Sequence, residues 1–225
     1  MNPLKQRSLS AITLALLAAA TLSAHASVAV TEAAPWSSGN SAVGADWFEL
    51  TNLGPTSISL SGWSMDDNSA TPGVAPLMSV ASIAAGQSVI FIEGDGSQAA
   101  SFISTWFGSA APVGLAIGHY SGGGVGLSTG GDAVNIFDAS SSLQASVSFG
   151  ASAGGPFASF DNAAGLNGDI SQLSVVGANG AFVAAHDAQE IGSPGAIAAV
   201  PEPASVALML AGLGLVGAAA RRRAR

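Results

Sequence analysis

The basic side chains of this chain are confined to its two ends. The chain has 225 residues, with 6 Lys or Arg against 14 Asp or Glu. The basic residues are Lys5, Arg7, Arg221, Arg222, Arg223 and Arg225. Every acidic residue except Glu202, hence 13 of the 14, lies between residues 27 and 199, where there is no Lys or Arg. A domain built from this stretch cannot form Lys or Arg salt bridges, so its stability must come from packing and hydrogen bonds.

The composition excludes several classes of function. Without basic residues, the central stretch lacks the cationic surface that neutralises nucleic-acid phosphates, so we expect no nucleic acid among its partners. The absence of cysteine excludes disulfides, Cys-ligated zinc and a cysteine nucleophile. Hydrophobic residues form 48% of the chain, which is enough for a buried core and argues against disorder.

Residues 1–26 have the order of features of a secretory signal peptide. Lys5 and Arg7 precede an apolar run, and Ala24 and Ala26 then form the small-residue pattern at which such peptides are cleaved. The run of about 12 residues is shorter than the ~20 that an anchor helix needs to span a bilayer. We therefore expect cleavage after Ala26 and export by the secretion machinery.

Residues 197–203 form a linker that ends in a short proline motif. The motif consists of Pro201, Glu202 and Pro203. Proline fixes its own backbone angle and disfavours a helical conformation in the residue before it. The motif is therefore expected to be extended, as the substrate of a processing enzyme would be.

An apolar stretch and the Arg cluster follow this motif. Residues 204–220 carry no charge and have the minimal length for a transmembrane helix, and residues 221–225 hold four arginines that indicate a cytoplasmic end. In this order, the motif, the helix and the cluster closely resemble the PEP-CTERM sorting signal of Gram-negative bacteria. The resemblance implies membrane anchoring in transit, recognition by an exosortase, removal of the helix and delivery to the cell surface or extracellular matrix. A plain tail anchor is the alternative.

Short apolar runs between Gly, Asn, Asp and Ser clusters recur along the central stretch. Apolar and polar positions alternate within several runs, as at Val134 and Ile136, which is typical of antiparallel strands with one buried face. Strands are predicted over residues 27–31, 47–51, 57–61, 88–92, 133–137 and 146–149. Residues 98–107 instead have their apolar side chains at helical spacing. The pattern predicts a β-sandwich with one short helix.

An ordered series of motifs over about residues 28–196 resembles the lamin-tail domain. The matching residues are Trp47, Glu49, Leu50, Asn52, Leu60, Gly62, Trp63, Gly131, Asp132, Pro194 and Gly195. The resemblance implies that residues 27–196 form an all-β, immunoglobulin-like antiparallel sandwich. It departs from the family pattern at Thr31, where Asn is usual, and in a long Gly- and Ala-rich stretch over residues 151–180.

The chemistry of these residues indicates structural roles for them. Glu49 is expected to hydrogen-bond a neighbouring loop or the opening strand. Gly62 is expected to permit a bend or an unusual φ, and residues 130–131 are expected to form a turn. Four large side chains are expected to fill the space between two sheets, namely Trp47, Leu50, Leu60 and Trp63. The leading hypothesis is therefore a non-enzymatic interaction or matrix module, with exopolysaccharide or other surface components as partners.

Two glycine-rich motifs suggest enzymes or nucleotide binding. Ser128 lies in a G-x-S-x-G pattern that would make a secreted serine hydrolase with His119 or His186, but the sequence that follows predicts a strand where that motif needs a helix. Residues 94–99 imitate a dinucleotide fingerprint, but Asp95 would repel pyrophosphate and no βαβ series is predicted around it. No catalytic residue is assigned.

Clustered acids leave calcium open as a cofactor. Asp66, Asp67 and Asn68, and separately Glu93 and Asp95, offer the hard oxygen ligands that calcium prefers. Neither cluster has the spacing of a defined calcium loop, so no metal ligand is assigned. A calcium-dependent glycan-binding module remains the alternative function.

Overall fold

The computed structural model describes residues 28–109 and 111–196, together with residue 212. In these ranges the chain forms 15 strands and two helices. The strands are β1 Val28–Ala34, β2 Trp47–Asn52, β3 Ile58–Ser59, β4 Ser64–Asp66, β5 Ala75–Met78, β6 Ser82–Ile83, β7 Ser88–Glu93, β8 Ala116–Tyr120, β9 Asp132–Phe137, β10 Leu143–Phe149, β11 Phe157–Ala158, β12 Phe160–Asp161, β13 Gly168–Ile170, β14 Phe182–Ala184 and β15 Asp187–Gly192. The helices are α1 Ser37–Asn40 and α2 Ala99–Phe107.

The predicted targeting segments lie outside the described residues. These are the signal peptide over 1–26, the linker over 197–203, the apolar stretch over 204–220 apart from residue 212, and the Arg cluster over 221–225. Within the described part of the chain, no helix has both the length and the apolar character needed to cross a membrane.

Ten strands form one sheet that folds over on itself. Their order is β12-β1-β2-β7-β8-β5-β4-β9-β10-β13. Strand β5 pairs with β8 through Leu77 and Met78, and with β4 through Ala75 and Pro76. It therefore passes from one half of the sheet to the other. The two halves face each other, and β1 lies close to β10. This arrangement confirms the predicted all-β sandwich.

A hydrophobic core fills the space between the halves. Alternate side chains of each strand point inward, as the alternation in the sequence predicts. The core includes Val30, Phe48, Leu50, Leu60, Trp63, Met65, Phe91, Ile136 and Val147. Leu50, Leu60 and Trp63 therefore lie where they were expected.

Helix α2 covers the outer face of β2 and β7 and creates a second core. Trp47 lies there, and the prediction that it fills the space between the sheets is wrong. The reason is strand geometry, because Trp47 is an odd number of residues from Leu50 and must point to the opposite face. Phe102 and Trp106 of the helix pack edge-on against Trp47, with ring centroids 5.4 and 5.5 Å away.

The sheet is mixed rather than purely antiparallel. Strands β7 and β8 are parallel, as are β10 and β13. Strands β11 and β15 are also parallel, in a separate three-stranded sheet with the order β11-β15-β14. Parallel neighbours need a crossover, and the predicted helix, found as α2, supplies it between β7 and β8. Residues 94–99 therefore do lie in one βαβ unit, contrary to the sequence interpretation. Asp95 occupies the turn and accepts the N–H of Ser97 at 3.0 Å. Helix α1 is a second short helix that was not predicted.

Replacing Phe102 by alanine should lower the free energy of unfolding by about 3–5 kcal/mol, because this ring is fully buried between Trp47 and Trp106. Urea denaturation of the two proteins measures the difference. The matched control is Val113→Ala in an exposed loop, which should change stability by less than about 0.5 kcal/mol. A loss at Phe102 as small as that at Val113 would contradict the second core.

Candidate functional site

Glu32 is a fully buried carboxylate on β1 that accepts hydrogen bonds from the C-terminal end of the domain. Its Oε1 accepts the backbone N–H of Ser193 at 2.7 Å and the hydroxyl of Ser159. Its Oε2 accepts the hydroxyl of Ser193 at 3.1 Å. The acid has no basic partner, so these donors compensate for the loss of water around it.

Glu49 lies opposite Glu32 in the β1–β2 pair and also accepts a hydrogen bond from the C-terminal end of the domain. The two residues are cross-strand partners, and both are buried. Glu49 accepts the hydroxyl of Thr31 at 2.7 Å through Oε1 and the N–H of Gly195 at 2.7 Å through Oε2. The predicted bonds of Glu49 to the opening strand and to a loop are both confirmed.

Residues Ser193, Pro194 and Gly195 form what we call the C-terminal clasp. Ser193 and Pro194 are buried, and Gly195 has a φ of 74° that L side chains rarely adopt. A Cβ at the preceding Gly192 would lie 2.6 Å from the Glu32 Oε1. Glycine at this position lets the clasp approach the carboxylate.

Burial dominates the ionisation of both acids. It raises the pKa of Glu32 to about 8 from an ordinary value of 4.5, with a further rise from the charge of Glu49, against the lowering effect of the Ser159 and Ser193 hydrogen bonds. Burial likewise raises the pKa of Glu49 to about 7, although the donors from Thr31 and Gly195 lower it. Each acid therefore binds its proton more tightly in the folded chain than in the unfolded one.

The free energy of unfolding should consequently fall as the pH rises from about 4.5 to about 8. Below this window Glu32 is protonated in both states. Within it the unfolded chain releases a proton that the folded chain keeps, so rising pH favours unfolding. Urea denaturation across this range measures the slope.

Glu32→Gln should make that slope shallower, because the amide has no proton to release. Its oxygen can accept from Ser193 and Ser159, and its NH₂ can donate to the Ser193 hydroxyl. The control is Asp138→Asn at an exposed turn, where hydrogen bonds from Ser140 and Ser142 lower the pKa and which should keep the wild-type slope. Wild-type stability that stays level or rises from pH 5 to 8 would contradict the assignment.

The remaining motif residues hold loops and turns. The Asn52 side chain donates to the carbonyl oxygens of Thr56 and Ile83 at 2.8 and 3.0 Å. Asp132 accepts N–H groups from Asn68 and Ser128 at 3.0 and 2.7 Å. The two glycines also lie as predicted, because Gly62 has a φ of 77° and the N–H of Gly131 closes a turn onto the carbonyl of residue 128.

The structure does not assemble a hydrolase site at Ser128. The Ser128 hydroxyl accepts the N–H of Gly130 at 3.1 Å, and it makes no hydrogen bond to His119 or His186. His119 instead pairs with the Ser79 hydroxyl at 3.1 Å. These residues therefore lack the nucleophile–base contact that such a mechanism requires.

The acid clusters singled out for calcium are used in turns. Asp66 accepts the Ser69 hydroxyl and the Thr71 N–H, each at 2.6 Å, and Asp67 accepts the Ser69 N–H at 2.9 Å. Throughout residues 28–109 and 111–196, no three His, Asp or Glu side chains come together as a metal-binding group. Calcium binding at Asp66, Asp67 and Asn68, or at Glu93 and Asp95, stays a prediction.

A polar cavity of about 250 Å³ lies beside β12 and β13. Its lining includes Asp161, Asp169, Gln172 and Asn179. Asp161 accepts the side-chain amides of Gln172 and Asn179 at 3.3 and 2.7 Å, which fixes its carboxylate in place. No sequence pattern predicts this site, because its residues are spread through the Gly- and Ala-rich stretch without a motif.

Two protein families match the chain. The Lamin Tail Domain model matches residues 21–151, more than half of the chain, and the PEP-CTERM protein-sorting motif matches residues 199–223. The chain belongs to the lamin-tail domain family and ends in a PEP-CTERM sorting signal, as the sequence resemblances indicated. No curated protein matches it.

The folded domain extends beyond the segment that matches the family. Strand β12 pairs with β1, β13 pairs with β10, and the clasp binds Glu32 and Glu49, all from residues after 151. The later residues therefore complete the sandwich that the family segment begins, and they also line the polar cavity.

Proposed function

We propose that this chain is an exported protein that an exosortase sorts to the cell surface or extracellular matrix. There its lamin-tail domain serves as a non-enzymatic interaction or structural module. The PEP-CTERM signal implies export and recognition by an exosortase. Passage through the secretion machinery and anchoring in the inner membrane precede the processing step.

The spacing between domain and signal is the observation that carries this proposal. Among the residues that the structure describes, the last backbone hydrogen bond runs from the N–H of Ala196 to the carbonyl of Ser193 at 2.9 Å. The matched sorting motif begins at residue 199, with Pro201, Glu202 and Pro203 immediately after. Cleavage at or after this motif would therefore release the domain with its clasp intact.

Several observations support a role without catalysis. Neither matched family is catalytic. The strongest catalytic motif in the sequence, at Ser128, lacks a histidine contact. Glu32 and Glu49 are surrounded by Ser, Thr and backbone donors of their own domain, which gives them a structural role rather than a reactive one.

Glycan binding is the second candidate, and the polar cavity favours it. Carboxylate and amide groups such as those of Asp161, Gln172 and Asn179 are the groups that hydrogen-bond sugar hydroxyls. Exopolysaccharide would be a partner of this chemistry. The dependence of such binding on calcium stays a prediction.

Replacing Pro201, Glu202 and Pro203 together by alanine should abolish sorting. In a host with an exosortase, the natural chain should appear at the surface at reduced mass, and the variant should remain in the membrane fraction without C-terminal cleavage. Immunoblotting of fractions with mass spectrometry of the C-terminus measures both. The control is Pro72→Ala in an exposed loop, which should be sorted normally.

The host background separates the two interpretations of the tail. Deleting the exosortase should give the natural chain the behaviour of the triple variant. If the natural chain keeps its C-terminal residues in the exosortase-containing host, the tail is a plain anchor and the proposal is wrong.

A further inference from the structure

Glu190 is a buried carboxylate that the domain leaves without a hydrogen bond. It lies on β15 with none of its surface exposed. Neither Oε1 nor Oε2 has a donor among the residues that the structure describes. A buried charged oxygen without a partner is costly, so such a group calls for a compensating ligand or proton.

The contrast with the other buried acids makes Glu190 unusual. Glu32 and Glu49 together accept hydrogen bonds from Ser159, Ser193, Thr31 and Gly195. Both of these acids therefore have hydrogen-bond donors from their own domain that offset the cost of burial. The domain supplies none to Glu190.

A large bulge in β15 brings a second carboxylate to Glu190. Val183 pairs with Ile191, but the next residue of β14, Ala184, pairs with Asp187, so residues 188–190 have no partner on β14. On the other side of β15, Glu190 pairs with Phe157 of β11. The hairpin turn before Asp187 is fixed, because the N–H of His186 donates to the carbonyl of residue 105 in α2 at 2.9 Å.

The immediate surroundings of Glu190 are rich in oxygen. The Asp187 carboxyl group and the Ser41 hydroxyl lie near enough to affect the ionisation of Glu190, although neither gives it a hydrogen bond of regular geometry. Burial raises the pKa of Glu190 to about 7, against the lowering effect of Ser41, and Asp187 raises it further. Asp187 is half-buried, and one of its oxygens accepts the N–H of Gln189 at 2.9 Å.

We propose that Glu190 and Asp187 bind a divalent cation of the calcium class, with the Ser41 hydroxyl and water as further ligands. Two neighbouring carboxylates repel each other unless they share a proton or a positive charge lies between them. The central stretch has no Lys or Arg to provide that charge. Calcium accepts carboxylate, hydroxyl and water oxygens in flexible geometry, which suits a site formed by a bulge and a loop.

The site has a structural consequence. Ser41 directly follows α1, whereas Asp187 and Glu190 belong to β15 in the three-stranded sheet β11-β15-β14. A bound cation would join the start of the domain to the strand that leads into the clasp. With only two carboxylates, the expected dissociation constant is about 1 mM, as in weak extracellular calcium modules.

The test is thermal unfolding of the purified full-length chain in detergent at pH 8, with CaCl₂ titrated to 10 mM. At a dissociation constant of about 1 mM this concentration favours the folded state about 11-fold, which should raise Tm by about 3–5 °C. Isothermal titration calorimetry should show one calcium per chain. Glu190→Gln should abolish both signals.

The controls separate site binding from general screening of the acidic domain. Asp138→Asn removes a half-buried acid at a distant turn and should keep the full calcium response, whereas NaCl at matched ionic strength should not reproduce it. Asp187→Asn provides a second site variant if Glu190→Gln does not fold. The proposal would be overturned if the natural chain showed no calcium response, or if the site variants responded as strongly as the natural chain. A proton shared by the two carboxyl groups would then be the compensation.

Discussion

The hydrogen bonds between the C-terminal clasp and two buried glutamates hold the two ends of this domain together. Ser193 and Gly195 donate backbone N–H groups to Glu32 and Glu49, each at 2.7 Å, across 161 and 146 residues of sequence. The acids lie on the first two strands of the sandwich and have no Lys or Arg to pair with. Losing the clasp would leave both carboxylates buried with fewer donors, so the end of the domain cannot detach without a cost to its centre.

The sequence predicted those parts of the fold that repeat a simple period. Strands β2, β7, β9 and β10 follow from alternating or continuous apolar runs, and α2 follows from its helical spacing. The face on which Trp47 lies was missed, because no pattern in the sequence indicates that β2 is covered on both sides. Strands β11 to β14 were missed because each has only two or three residues, and their pairing with β1, β10 and β15 is set by tertiary contacts.

The candidate site also has one part that the sequence could predict and one part that it could not. An acid within an otherwise apolar strand, such as Glu32 or Glu49, is a signal that sequence inspection can find, and Glu49 was singled out. The contact of Glu32 with Ser193 could not be foreseen over 161 residues. Glu190 and Asp187 carry no motif at all, because it is the bulge in β15 that brings them together.

The central claim is that the domain remains folded up to the clasp and that the sorting motif begins just beyond it. Hydrogen exchange of the full-length chain, followed by mass spectrometry or NMR, tests this most directly. The N–H groups of Ser193 and Gly195 should exchange as slowly as that of Ile90 in the central strand β7, because all three require global unfolding. Exchange as fast as that of Gly123 in an exposed loop would show that the clasp opens independently and would contradict the account.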